Sequence, residues 1–126
     1  MNIKHFFTTA IASAIMLGAQ AFAADAPVKK ADGILAATNG MTLYVFDKDT
    51  AGSGKSTCNG PCAALWPALN ATGGDNATGD YTIITRDDGT RQWALKGKPL
   101  YFWANDKKPG DKTGDNFKDV WHVVPQ

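Results

Sequence analysis

Gly40-Met41-Thr42-Leu43-Tyr44-Val45-Phe46, followed by Asp49, returns 57 residues later as Gly97-Lys98-Pro99-Leu100-Tyr101-Phe102-Trp103, followed by Asp106. The Gly, Leu, Tyr, aromatic and Asp positions all keep that spacing, so the chain is an internal duplication. The similarity runs outward in both directions. Asp32-Gly33 leads into the first unit as Asp88-Gly89 leads into the second, and a Trp follows each Asp, Trp66 in one and Trp121 in the other. Between the units, residues 70–80 are rich in Asn, Gly, Thr and Asp and read as a polar linker. The repeats span about residues 28–69 and 81–126. A half of that length buries too little apolar surface to fold alone, which predicts one domain.

Strands are the expected material. Residues 34–38, 43–46, 81–85, 92–95, 100–103 and 120–124 are short runs rich in β-branched or aromatic side chains, each bounded by Gly, Asp, Asn or Pro. Asn39-Gly40, Asp88-Gly89 and Lys96-Gly97 are turn signals, and residues 87–90 should close a hairpin. Residues 61–66 form the one credible helical turn, stopped by Pro67. Along a strand, Tyr44 and Phe46 share one face and Leu43 and Val45 the other, so both faces are apolar. The expected fold is all-β: a small pseudo-symmetric antiparallel sheet or barrel-like domain with one short helical turn.

Composition agrees and narrows the function. All twelve acidic residues are Asp and none is Glu, and thirteen Gly accompany them, a mix suited to turns rather than helices. Thirteen basic residues nearly balance the acids, so the basic patch of a nucleic-acid binder is missing. Lys4, the apolar run 6–17 and Ala21-Phe22-Ala23 read as a secretory signal peptide, residues 1–23, cleaved to leave a mature chain 24–126 in the periplasm or medium. The apolar run is too short for a membrane crossing. Export places Cys58 and Cys62 in an oxidising compartment, and Gly60-Pro61 between them favours a local disulfide. So small a loop contributes about 2 kcal/mol. The alternative is a redox or copper-handling pair, with His122 or Met41 completing a soft site.

Tyr44 to Asp49 and Tyr101 to Asp106 both fit Y-x-[FWY]-x-x-D, with Phe46 and Trp103 as the central aromatics. With Cys58-Asn59-Gly60-Pro61-Cys62-Ala63-Ala64-Leu65-Trp66-Pro67 and Gly97-Lys98-Pro99-Leu100-Tyr101, the chain resembles the secreted or lipoprotein repeats defined by that motif. The resemblance implies a bacterial envelope protein and brings no catalytic residue to carry over. Gln20 stands where a lipid-bearing Cys would be needed, so no membrane anchor is expected.

Fully extended, Tyr44 and Asp49 would stand about 16 Å apart, so the Asp is expected to open the following loop. Two readings of the motif follow. In one, the aromatic rings fill the core while Asp49 and Asp106 bond loop amides as Asx turns. In the other, Tyr hydroxyls and Asp carboxylates converge on a ligand or cation at the pseudo-twofold. Residues 52–56 lack the first Gly of a P-loop, and residues 47–58 lack the terminal acid of a calcium loop. A looser calcium site would use Asp111 and Asp115. His122 has no identifiable Ser or Asp partner in the sequence, which leaves nucleophilic catalysis without support. The expectation is a monomeric, non-enzymatic binding or structural module without cofactor, its partner a small ligand or an envelope protein.

Overall fold

The computed structural model describes residues 25–126. The signal peptide assigned to residues 1–23 lies outside them. Each repeat opens with a hairpin. Strands β1 (Val28–Ala31) and β2 (Ile34–Ala37) pair antiparallel around Asp32-Gly33, whose φ angles of 52° and 80° suit the tight turn that right-twisted strands require. Strands β4 (Tyr81–Thr85) and β5 (Arg91–Leu95) pair around residues 86–90, where Asp88 accepts from the Thr90 amide at 2.9 Å and its hydroxyl at 2.6 Å. A short strand β6 (Lys98–Pro99) adds to β5 through Lys96-Gly97. Strand β3 (Tyr44–Phe46) pairs with β7 (Trp121–Val123). The sheets are thus β1-β2, β3-β7 and β4-β5-β6, all antiparallel. They remain three small ladders, without the closure of a barrel.

Four elements differ from the sequence reading, two of them short: strand β6, and a second helical turn, of 3-10 type, at Phe117–Asp119. Residues 100–103 are not a regular strand: Tyr101 makes single bridges to Tyr44 and Ala68. There the chain changes partners, leaving β5 for the opposite repeat, so no ladder of consecutive pairs accumulates. Strand β1 was not expected, because Lys29 and Lys30 are exposed and break the apolar alternation of a half-buried strand. Helix α1 (Pro61–Leu65) falls where the sequence places it, with Pro61 in its first turn, where the missing amide costs nothing.

The repeats exchange their tails. The Trp93 amide of the second repeat donates to Leu69 of the first at 2.9 Å, and the Leu35 amide of the first donates to Val124 of the second at 2.8 Å. Tyr44 and Tyr101 bond each other's backbone in both directions, at 2.8 and 3.0 Å, on the pseudo-twofold axis. Around that axis four rings stack in the order Phe46, Trp121, Trp66, Trp103, with centroids 4.1, 3.8 and 4.1 Å apart. The central Trp pair is parallel to within 2°. Such contacts add about 0.5–1.5 kcal/mol each to the burial of the rings. Cys62 and Phe117 flank this core. A second core of Leu35, Leu43, Leu69, Trp93 and Leu100 fills the space between the hairpins.

Candidate functional site

The motif residues meet crosswise. The Tyr44 hydroxyl donates to Asp106 Oδ2 and the Tyr101 hydroxyl to Asp49 Oδ2, both at 2.6 Å, so each repeat's Tyr bonds the other's Asp. The second carboxylate oxygen is used within the repeat. Asp49 Oδ1 accepts from the Thr57 amide and hydroxyl, both at 2.8 Å, and Asp106 Oδ1 from those of Thr113 at 3.0 and 2.7 Å. Each Asp therefore accepts three bonds and opens its loop, and all four side chains are buried. Burial first, then the bond to the carboxylate, holds both phenols well above the usual tyrosine pKa. They stay protonated donors. Thr57 and Thr113 were missed in the sequence, although both lie in the loop after the motif Asp in aligned repeats.

Arg86 breaks the symmetry. Buried at 5% exposure, its guanidinium donates to Ser56 Oγ at 3.0 Å, Gln92 Oε1 at 2.6 Å and the Cys58 carbonyl. Gln92 in turn donates to the Leu100 carbonyl at 2.7 Å. Ser56 Oγ lies 2.6 Å from the Tyr101 oxygen, and since the Tyr proton goes to Asp49, Ser56 is the donor. The charge of Arg86 thus connects to Asp49 through two hydroxyls. At the matching place in the other repeat, Tyr44 accepts only the Gly114 amide, at 3.2 Å. Arg86 gave no sequence signal, because nothing in a hairpin loop announces a buried guanidinium.

Cys58 and Cys62 form a disulfide that ties the chain before α1 to its first turn. As a disulfide they offer no thiolate to a soft metal.

The open surface of the molecule lies elsewhere. Between the β3-β7 sheet and the β5-β6 turn runs a cleft of about 680 Å³, within the range of small-molecule sites. One wall is apolar, from Val45, Val123 and Pro125; the other carries Tyr81, Leu95, Lys96 and Lys98, with Asp80 at its edge. None of these was a candidate site residue in the sequence, because the wall forms only when the second repeat's tail crosses to β3.

A family model described as "secreted repeat of unknown function" matches the chain twice, over residues 26–70 and 82–125. The chain belongs to this family. No curated protein and no solved structure matches it. The two matches of the secreted repeat leave residues 71–81 between them. Among the described residues, no helix is long and apolar enough to cross a membrane.

The remaining candidates of this secreted repeat are dispersed. His122 has the Asp partner that the sequence did not disclose: its Nε2 lies 2.8 Å from Asp47 Oδ2, and its Nδ1 3.1 Å from Asn116 Oδ1. The β3-β7 register sets Val45 opposite His122 and so carries Asp47, two residues further on, within reach. Met41 lies in the turn after β2, where its amide donates to Asn39 at 2.9 Å. Asp111 accepts from the amides of Lys107 and Lys108, which hold its pKa below the usual carboxylate value, and Asp115 accepts from the Val123 amide at 3.0 Å. Among the described residues no three His, Cys, Asp or Glu side chains gather as metal ligands would.

Proposed function

We propose that this secreted repeat is a non-enzymatic, monomeric binding module of the bacterial envelope, released into the periplasm or beyond, whose site is the cleft between the β3-β7 sheet and the β5-β6 turn. The cleft is the observation that carries the reading. It joins an apolar wall to a few polar groups, the composition of a ligand site. The Tyr–Asp motif serves the fold instead: its hydroxyls and carboxylates are buried and bonded to one another, so a ligand would have to break the core to reach them. Cys58–Cys62 is a staple in this reading; a readily reduced pair that takes up Cu(I) would overturn that part.

Ala51 is exposed and lines the cleft, so Ala51→Trp fills it without touching either core. A thermal-shift screen of small envelope metabolites against the mature chain is expected to yield binders that raise Tm in the parent and not in Ala51→Trp. If binders act equally on both, the cleft is not the site.

A further inference from the structure

On the reading of the cleft as a ligand site, we infer that its ligand is a small amphipathic anion, an apolar body ending in a single carboxylate. The two walls differ in kind. Val45, Val123 and Pro125 offer hydrocarbon from one side. The opposite wall is the β5-β6 turn, which presents Lys96 and Lys98 beside Tyr81. Among the described residues neither lysine ammonium has an ion pair or hydrogen-bond partner. Asp80 is the one acid lining the cleft, and its backbone carbonyl accepts the Lys96 amide at 2.8 Å. The two unpaired ammonium groups stand on the wall opposite the hydrocarbon, and a carboxylate head group supplies the partner they lack. Burial, and then Asp80, push the Tyr81 phenol above its usual pKa, so it stays a donor at neutral pH.

The turn carrying the lysines is built at a cost. Lys96 has φ 50° and Gly97 φ 84°, the tight hairpin turn in which the first position favours Asn or Asp. At the corresponding place the first repeat has Asn39, before Gly40. The turn is also fixed in place: a Cβ on Gly97 would stand 2.5 Å from the Gly52 amide nitrogen, and that amide donates to the Gly97 carbonyl at 3.0 Å. A lysine in a position that suits asparagine better, on a braced turn at the rim of a cleft, is explained by its charge.

This makes a separable test, because Lys96→Asn removes the cation while relieving the backbone. Titration calorimetry of the mature protein with decanoate, 1-decanol and decylamine compares one apolar chain under three head groups. The expected order is decanoate tightest by about tenfold or more, with Lys96→Asn/Lys98→Gln erasing that advantage and leaving decanol unchanged, at an unchanged or higher Tm. Equal binding of all three, or preference for the amine, overturns the anion and leaves the cleft a binding site. No binding by any of them overturns the anion as well, and if the screen against Ala51→Trp is also blank, the binding reading falls with it.

Discussion

The two repeats share an aromatic stack and a reciprocal Tyr–Asp exchange, yet they secure the loop after the motif by different means. In the first, Cys58 is joined to Cys62, and Arg86 reaches across from the second hairpin to hold the Cys58 carbonyl and Ser56. In the second, Gly114 stands at the place of Cys58 and Phe117 at that of Cys62, with no buried cation nearby. Phe117 packs on Trp103 and Trp66 instead, at centroid distances of 4.9 and 5.8 Å. Gly114 has no room for a side chain: a Cβ would lie 2.8 Å from Trp66 and 2.9 Å from Trp103. In the stack, Phe46 holds the position that Trp103 holds in the other half. The duplication has kept the geometry of the axis and let covalent, ionic and packing devices substitute for one another around it.

Removing Arg86 should break the comparison most. Arg86→Met leaves Gln92, Ser56 and the Cys58 carbonyl without their buried donor and cuts the chain of hydroxyls that links a cation to Asp49, and should cost about 3–5 kcal/mol by urea denaturation. The counterpart of Arg86 in the first repeat, Lys30, is exposed and makes no equivalent network to lose. The Cys58→Ala/Cys62→Ala pair should cost about 2 kcal/mol, the value for so short a loop. Gly114→Ala, its packing counterpart, should cost about 1–3 kcal/mol from overpacking against two indoles, and the near-ultraviolet circular dichroism of the stack should change with it. The finer contrast lies in the tyrosines. Tyr101→Phe and Tyr44→Phe each remove a donor from a buried carboxylate, but only the former also cuts the path from Arg86. It should be the more destabilising, by about 1 kcal/mol.

The smallest effect is one of pH. Both motif phenols have folded pKa values raised above the ordinary 10.0 of the unfolded chain. Their contribution is therefore complete below that value and is lost as pH rises from it through the folded values. Above about pH 10 the melting temperature should fall with rising pH, and it should fall less in the Tyr44→Phe/Tyr101→Phe protein. Equal slopes would show that other groups govern alkaline unfolding.

Much of the fold was legible because its signals are local. Asp88-Gly89 marks a hairpin through the backbone angles it tolerates, and Gly60-Pro61 sets the Cys turn by itself. The hairpin at Asp32-Gly33 was not legible, because Lys29 and Lys30 hide β1. The exchange of tails was not legible, because Leu69 and Val124 look like ordinary strand residues whichever β-strand they join. For the same reason the sequence named no partner for the Tyr44 hydroxyl, since Asp106 lies 62 residues away. Asp47 was hidden from His122 until the β3-β7 register was known. The cleft was hidden more deeply, since Lys96 and Val45 share neither a motif nor a strand and meet only through the crossing of the halves.

That crossing has a consequence for how such a chain could have arisen. A polypeptide encoding one repeat would carry a tail with no strand of its own to pair with, an indole with one bare face and a tyrosine without a carboxylate. A second copy would supply all three, related by a rotation of half a turn. The axis between Trp66 and Trp121 thus has the form of a homodimer interface held within one chain, and any single-repeat relative should be found as a pair.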